Sequence, residues 1–430
     1  MHIIKDPFRH EYHALLQRPY SDNSAVLQSV QHILKEVRLK GDDALYSFAQ
    51  EFDGVELHGL QVSSSEIAKA GEALTPELKV AIQQAKANIE KFHATQLSQP
   101  EKIETMPGIE CWRKGVGIEK VGLYIPGGTA PLFSTVLMLA VPARLARCQE
   151  VILCTPCDKS GKVHPAVLYS AALCGITRIY RVGGAQAIAA LAYGTETIPA
   201  VYKIFGPGNQ YVTAAKQLVQ MQGVAIDMPA GPSEVCVLAD ETANPAFIAA
   251  DLLSQAEHGA DSQVLLVSTS ETLVHQTLEE VERQLAELPR QDMARKALKN
   301  SKALVVANIH QAMTVVNDYA AEHLILCCEE ADRLAEQVIN AGSVFIGNYS
   351  PESVGDYASG TNHTLPTNAF ARAYSGVSVD SFLKKITFQK LTREGLRNIG
   401  QTVVEMAEAE GLQAHANAVK VRTAAGAEKK

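Results

Sequence analysis

The stretch VCVLADETANPAFIAADLLSQAEHGADSQVLLV, residues 235–267, contains the pattern on which the fold prediction rests. A short apolar run from Val235 to Leu238 is followed by a helical stretch and then by a second apolar run, Val264 to Val267. Runs of this length without polar alternation are typical of strands that are buried on both faces. Helices cover such strands, so the stretch predicts a β-α-β unit of a parallel sheet.

Similar apolar runs recur along the chain and alternate with helical stretches. No internal repeat of fixed period is visible, but two weakly similar halves are compatible with the pattern. The number of runs predicts an α/β fold with two largely parallel sheets. The further runs are Val151 to Cys154, Ile176 to Val182, Val201 to Phe205, Ala303 to Val306 and Val344 to Ile346.

The two ends of the chain differ from this regular middle. The first 20 residues form a polar stretch that we expect to be an arm. Thr75-Pro76-Glu77 is typical of a helix start, because threonine caps free amides and proline suits the first helical position. From Thr392 to about Arg422 the pattern is again helical, which predicts a tail that docks on another subunit.

The composition is that of a folded globular chain. Of its 430 residues 47% are hydrophobic and 20% are charged, and no apolar run is long enough to cross a bilayer. The net charge of −8 argues against a nucleic-acid partner. The start of the sequence lacks the features of a signal peptide, and eight scattered cysteines fit reduced thiols. We therefore expect a cytoplasmic location.

Gln255 and His258 are three residues apart, on what reads as the last turn of a helix that Gly259 can end. Side chains at this spacing share a face. An amide oxygen and an imidazole nitrogen on one rigid element can build a metal or substrate site. Taken alone, the pair also fits an ordinary polar surface.

Three glycine-rich turns follow apolar runs, at residues 122–128, 183–186 and 206–209. Such turns let backbone amides approach a phosphate at a helix start, although many are merely structural. None of them has the GxGxxG spacing of the ordinary dinucleotide fingerprint. Together they favour a nucleotide cleft in which Tyr124, Gln186 and Asn209 are expected to be exposed as polar or stacking groups.

Glu322 and His323 lie at a boundary between a helix and the apolar run that ends at Cys327. There they can converge on one cleft as two proton-transfer groups, or form a solvated pair in a loop. Ser233 lies in a loop rich in turn-forming residues and has no neighbouring histidine. Hydrogen bonding to a substrate therefore suits Ser233 better than nucleophilic catalysis.

Three further residues offer metal-binding or proton-transfer groups. Asp356 lies in a polar stretch, residues 354–367, that reads as a long loop, and its carboxylate is a possible hard ligand. Glu410 and His415 flank a helix break in the tail, where either side chain is also compatible with solvated surface.

Eight ordered motifs make the chain similar to the histidinol dehydrogenase family, which completes histidine biosynthesis. The similarity spans essentially the whole chain. The motifs are GLYIPGG (122–128), GGAQAIAALAYGTE (183–196), IFGPGNQYV (204–212), AIDMPAGPSE (225–234), DLLSQAEHG (251–259), AAEHL (320–324), GDYASGTNHTLPT (355–367) and GLQAHANAV (411–419).

The resemblance implies a ligand set for each group that the site would bind. One zinc ion per subunit would be held by Gln255, His258, Asp356 and His415. NAD would contact Tyr124, Gln186 and Asn209. The substrate would contact the zinc ligands and also Ser233, His323 and Glu410.

The resemblance also implies two incomplete Rossmann-like domains with small N-terminal and C-terminal helical extensions. It implies an intertwined homodimer in which Glu410 and His415 reach the partner's site. The predicted divisions are an arm (1–20), a main domain (21–129 with 233–378), an NAD-side domain (130–232) and a helical tail (379–430).

The implied activity is the zinc-dependent oxidation of L-histidinol to L-histidine through bound L-histidinaldehyde, with two NAD molecules reduced in succession. His323 would be the general base, and Glu322 would activate the water that adds to the aldehyde. The alternatives are a paralogous NAD-dependent polyol or sulfonate-alcohol dehydrogenase, a zinc hydrolase, and a non-catalytic nucleotide-binding module. Imidazole recognition and NADH formation distinguish these alternatives.

Overall fold

The computed structural model describes residues 1–18, 24–127, 131–229 and 231–424, whose strands form three sheets. The first sheet has six parallel strands. Its order is His2–Lys5, Lys302–Val305, Gln263–Ser268, Glu234–Ala239, His323–Cys327 and Ser343–Ile346. Alternate residues of its strands enter two separate cores: Val235 and Val237 lie in one, Cys236 and Leu238 in the other. Both faces are therefore covered, as the apolar runs predict.

The second sheet has five parallel strands. Its order is Arg178–Tyr180, Glu150–Cys154, Lys120–Tyr124, Lys203–Phe205 and Ala225–Ile226. It too separates two cores, with Leu123 in one and Tyr124 in the other.

The two parallel sheets share one topology. Apart from the added edge strand His2–Lys5 of the six-stranded sheet, the first strand along the chain in each sheet lies in the middle, the next two follow on one side, and the fourth and fifth lie on the other. This is the order of the first five strands of a doubly wound dinucleotide-binding sheet, and it creates a crevice between the first and fourth strands. The prediction of two incomplete Rossmann-like units is confirmed.

Helices account for most of the remaining described chain. Thr75 caps the helix that it was predicted to start, since its hydroxyl accepts a hydrogen bond from the amide of Leu78. None of the described helices is long and apolar enough to cross a membrane. The α-helices are Tyr12–Leu15, Ser24–Lys40, Asp42–Phe48, Ser64–Lys69, Pro76–Ala94, Phe133–Leu145, Pro165–Leu173, Gly184–Tyr193, Gln210–Gln220, Pro245–Ala256, Glu271–Leu285, Gln291–Lys299, Ile309–Tyr319, Ala331–Ala335, Glu352–Tyr357, Arg393–Ala409 and Gln413–Ala424.

The third sheet is antiparallel and was not predicted. It joins Leu383–Leu391 to Ile109–Gly117, which also pairs with Lys102–Met106. The C-terminal tail therefore contains a strand, and its α-helices begin only at Arg393. These three strands are mostly exposed, so they lack the apolar runs by which the parallel strands were found.

The predicted domain divisions differ from the observed packing in two places. The supposed arm contributes His2–Lys5 as an edge strand of the six-stranded sheet. Within the range 21–129, the Ser24–Lys40 helix packs beside the five-stranded sheet, and Lys120–Tyr124 is the middle strand of that sheet. These two elements were assigned to the wrong domain, because an apolar pattern can identify a helix or a strand but does not say to which sheet the element belongs. The boundary residues 20, 21, 129 and 130, the turn residue Gly128 and residues 425–430 lie outside the described residues.

The turn that begins at Gly206 provides a test of the five-stranded sheet. Gly206 has φ +130°, and a Cβ placed there would lie 2.0 Å from the carbonyl oxygen of Tyr124. We expect Gly206→Ala to lower the free energy of unfolding by about 3 kcal/mol, because strain and a backbone clash add. Gly175→Ala is the control, since Gly175 has φ +76° but open space around it, and should cost about 1 kcal/mol. Equal losses in chemical denaturation would contradict the proposed clash.

Candidate active site

A cluster of buried polar groups lies at the amino edge of the six-stranded sheet. His323 begins one strand, and Glu234 begins the strand beside it. The backbone amide of Glu234 donates a hydrogen bond to Oε2 of Glu322 over 2.9 Å. The carbonyl oxygen of Glu234 lies 3.3 Å from Nδ1 of His323. One residue's backbone thus orients both predicted proton-transfer groups.

The carboxylate of Glu234 is itself buried and paired. Arg18 donates to both of its oxygens, from Nε over 2.9 Å and from Nη2 over 2.7 Å. The amide of Asn368 adds a third bond of 2.8 Å. The guanidinium of Arg18 also lies over the ring of Tyr319, 3.9 Å from its centroid. This bidentate, stacked arrangement compensates the cost of burying both charges.

The Glu352–Tyr357 helix closes the other side of the cluster. Glu352 and Asp356 are four residues apart and therefore share a face. Oδ1 of Asp356 lies 3.3 Å from Nε2 of His323. Side-chain ligand atoms of His258, Glu352 and Asp356 all lie within 4.8 Å of one another, a spacing that could hold a metal ion. The prediction that Asp356 lies in a loop is wrong, because a short helix carries it.

Gln255 and His258 enter the cluster from the end of the Pro245–Ala256 helix. Gln255 is in the last turn and buried, whereas His258 lies just beyond the helix and is exposed. The Gln255 amide has two possible orientations. In one, its nitrogen donates to Oε1 of Glu352 over 2.6 Å and its oxygen accepts from the amide of Glu234 over 2.8 Å. In the other, its nitrogen lies 3.4 Å from Oε2 of Glu322.

Burial and mutual charge shift the proton affinities of the cluster. Burial raises the pKa of Glu322 to about 7 and that of Glu352 to about 8. Burial alone would lower the pKa of His323, but the carboxylates of Glu322, Glu352 and Asp356 outweigh it and raise that pKa to about 10. Burial would also raise the pKa of Asp356, yet the neighbouring imidazole of His323 lowers it. The three carboxyl groups and the imidazole of His323 therefore titrate as one coupled set.

The loop after the Glu352–Tyr357 helix ties this cluster to the other parallel sheet. His363 Nδ1 lies 2.8 Å from the carbonyl oxygen of Asp356, and His363 Nε2 lies 3.0 Å from the hydroxyl of Thr135. Asn362 donates to the carbonyl oxygen of Met138 over 2.6 Å. Thr135 and Met138 belong to the Phe133–Leu145 helix, which packs on the five-stranded sheet. The two sheets are thus connected through the site.

The residues predicted to contact NAD lie at the carboxyl edge of the five-stranded sheet. Tyr124 ends the first strand, and its hydroxyl accepts a hydrogen bond of 3.1 Å from the amide of Gly184. Asn209 caps the helix after the fourth strand. These two strands flank the crevice in which doubly wound sheets bind ligands. Asn209 is exposed as predicted, but Tyr124 and Gln186 are each only 4% exposed, so their expected exposure is wrong.

Of the three remaining residues predicted to bind substrate or metal, one lies next to the cluster and two do not. Ser233 directly precedes Glu234 at the amino edge and is partly buried. Glu410 and His415 are exposed on the tail, at the junction of its two helices. Neither belongs to the group formed by His258, Glu352 and Asp356.

Four residues of the site were missed in the sequence. Arg18 and Glu234 are 216 positions apart, so no local pattern links them. His363 lies in a motif whose individual contacts cannot be read from its letters. Glu352 could have been found from the sequence. It precedes Asp356 by four residues, and two carboxylates at that spacing share a helix face.

The fold and the cluster together define a class of protein. Two doubly wound sheets, one with glycine-rich turns at its carboxyl edge, are joined by buried acid and imidazole groups beside a possible metal site. This combination is typical of an α/β enzyme that transfers protons next to a bound nucleotide.

Comparison with known proteins gives the family. The family model described as histidinol dehydrogenase matches residues 16–423. A histidinol dehydrogenase of Bacteroides thetaiotaomicron is 59% identical over 98% of this chain and 99% of its own length, and one of Colwellia psychrerythraea is 51% identical over 96% and 95%. The crystal structure of histidinol dehydrogenase from Elizabethkingia anophelis has a TM-score of 0.97 at 54% identity, covering 99% of this chain and 98% of that one. The chain belongs to the histidinol dehydrogenase family and is an oxidoreductase.

The Arg18–Glu234 pair yields a second testable prediction. Arg18→Ala leaves the carboxylate of Glu234 buried without its cation and should lower the free energy of unfolding by about 3 kcal/mol or more. The matched control is Arg9→Ala, which removes an arginine from the exposed pair with Asp318 and should cost less than about 1 kcal/mol. Denaturant titrations of both variants measure the difference. Similar losses for the two variants would refute a special role for the buried pair.

Proposed function

We propose that this chain catalyses the zinc-dependent, NAD-linked oxidation of L-histidinol to L-histidine through bound L-histidinaldehyde. The observation that carries the proposal is the buried Glu322–His323 pair, oriented by the backbone of Glu234 beside His258 and Asp356. The reaction requires two hydrides to leave one carbon and one water to add between them. A site with two distinct proton-transfer groups suits that sequence.

The donor set fits a divalent zinc ion. Gln255, His258 and Asp356 offer an amide oxygen, an imidazole and a carboxylate, and His415 of a second copy would complete the set. Oε2 of Glu352 is buried and has no hydrogen-bond partner among the described residues, as expected beside a cation site. When bound, zinc would orient the substrate's amine and imidazole and offset the charge of Asp356 that keeps His323 protonated.

The chain's own residues divide the proton transfers between them. His323 takes the proton of the alcohol as the first hydride leaves for NAD and releases that proton to solvent. It then takes a proton from the hydrated aldehyde as the second hydride leaves. Glu322 accepts a proton from the water that attacks the aldehyde, because its raised pKa suits a group that gains and loses protons near neutral pH. Both groups are buried, which keeps bulk water from the aldehyde.

NAD is proposed to bind at the carboxyl edge of the five-stranded sheet. Support comes from the crevice between its first and fourth strands and from the turns that follow them. Asn209, which is exposed, would contact the cofactor directly. The buried Tyr124 and Gln186 also shape the turn at Gly184, since Tyr124 bonds its amide and Oε1 of Gln186 packs against it.

We also propose that the enzyme is a homodimer of the cytoplasm. Glu410 and His415 are exposed in one copy, and the tail helices bury only Val404, Ala407 and Ala416 as an apolar core. A second copy would cover the remaining apolar side chains and receive the two polar ones. All eight cysteines are unpaired, which suits a reducing compartment.

The ratio of NADH formed to L-histidinol consumed tests the proposed function. We expect two NADH per substrate, measured by absorbance against the histidine produced. One NADH per substrate would indicate the paralogous alcohol dehydrogenase on the same scaffold. Product without NADH would indicate a hydrolase, and either result would contradict the proposal.

Substitution of Glu322 tests the division of roles. Glu322→Gln retains an oxygen that can accept the hydrogen bond from the amide of Glu234. The neutral amide side chain cannot take a proton from water. We expect oxidation of L-histidinaldehyde to slow by about a hundredfold and the first, alcohol-oxidising step to change by less than about fivefold. Single-turnover NADH formation with each substrate separates the two steps.

The control for this variant is Glu241→Gln, which removes an exposed carboxylate at the opposite edge of the same sheet. It should leave both steps unchanged. If Glu322→Gln slowed both half-reactions equally, Glu322 would not act specifically on water.

A further inference from the structure

Lys216 and Asp227 form a buried ion pair to which the proposed chemistry assigns no task. Lys216 lies on the Gln210–Gln220 helix, and Asp227 directly follows the strand Ala225–Ile226 of the five-stranded sheet. Their side chains are only 5% and 1% exposed, and Nζ of Lys216 contacts Oδ1 of Asp227. The cost of taking both charges out of water can exceed their attraction, so stability alone does not explain the pair.

The pair holds both polar backbone groups of Gly206. The amide of Gly206 donates a hydrogen bond to Oδ2 of Asp227 over 2.8 Å, and Nζ of Lys216 donates to the carbonyl oxygen of Gly206 over 2.8 Å. A glycine by itself has wide conformational freedom. The ion pair therefore fixes the first residue of the turn at residues 206–209.

The position of Gly206 sets the width of the proposed NAD crevice. Gly206 directly follows the fourth strand of the sheet and lies against the first, since a Cβ placed on it would be 2.0 Å from the carbonyl oxygen of Tyr124. Asn209, at the other end of the turn, caps the helix that carries Lys216. The ion pair thus holds the turn, the start of the helix and the first strand in one arrangement.

The segment that begins at Asp227 leads to the proton-transfer groups. Oδ1 of Asp227 accepts a hydrogen bond of 2.8 Å from the amide of Met228, whose side chain is buried in a core of the five-stranded sheet. At the far end of the segment 227–234 is Glu234, whose backbone orients both proton-transfer groups. One carboxylate therefore anchors the NAD-side turn and also the start of the segment that ends at the acid and base groups.

We propose that Lys216 and Asp227 are positioning residues for NAD, which hold the turn at residues 206–209 in its cofactor-binding shape before NAD arrives. The inference rests on the proposed NAD site and deepens it. A turn that is already ordered loses little conformational freedom when the cofactor binds, so the affinity for NAD is higher. The two side chains act through Gly206 and Asn209 and not by contact with the reacting atoms.

The double variant Lys216→Met/Asp227→Asn tests this role. Both charges are removed together, because Asp227 pairs with no other cation among the described residues and would otherwise stay buried and unpaired. The asparagine can still accept from the amide of Gly206, but the methionine cannot donate to its carbonyl oxygen. We expect the KM for NAD to rise about tenfold and the KM for L-histidinol to stay within about twofold. Initial rates with each substrate varied in turn measure both constants.

The matched control is Lys120→Met/Glu150→Gln, which removes an ion pair at the amino edge of the same sheet, away from the crevice. It should leave both KM values within about twofold. A purely structural role of Lys216 and Asp227 would lower the melting temperature but leave the KM for NAD of the folded enzyme unchanged, and that result would overturn the positioning role alone. If the unmodified protein did not reduce NAD, the proposed function itself would fail.

A second measurement does not depend on the folding of a variant. Amide hydrogen exchange of the unmodified protein, followed by mass spectrometry without and with NAD, reports how ordered the turn is. We expect the amide of Gly206 to exchange as slowly as those of the strand Lys203–Phe205 even without NAD. Exchange that is fast without NAD and slows only when NAD is bound would overturn the proposal.

Discussion

The arrangement of the site depends on the buried residue Glu234. Its carboxylate is paired to Arg18, its amide bonds Glu322, and its carbonyl oxygen lies against His323. The first contact provides the cation that a buried carboxylate requires, and the other two place the proton-transfer groups. Because Glu234 also begins a central strand of the six-stranded sheet, the proton-transfer groups are held at the start of that strand.

Apart from the edge strand His2–Lys5, the two parallel sheets have one topology, but the groups assigned to the site lie at opposite edges of them. The five-stranded sheet presents its glycine-rich turns at the carboxyl edge, where doubly wound sheets bind ligands. The six-stranded sheet presents Glu322 and His323 at its amino edge. The His363 and Asn362 contacts to the Phe133–Leu145 helix join these edges. A cofactor held by one sheet can therefore be kept in a defined position relative to the acid and base groups of the other.

An element of the fold could be predicted from the sequence where its packing leaves a local pattern of residues. Apolar runs such as Val264 to Val267 identified the buried strands, because burial on both faces leaves a local pattern. The exposed strands Lys102–Met106 and Leu383–Leu391 leave no such pattern and were missed. The range 21–129 was assigned to the main domain, although its Ser24–Lys40 helix packs beside the five-stranded sheet, since an apolar stripe does not specify the surface that it covers.

The sequence by itself determined the fold class and, through its ordered motifs, the family, and it predicted the site residues that the family implies. Those features depend on residue type and local spacing. Only the tertiary structure decided how Arg18 reaches Glu234, which backbone groups orient Glu322 and His323, and that Glu352 joins His258 and Asp356. These are contacts between distant segments, and buried charge finds its partner only when the chain is packed.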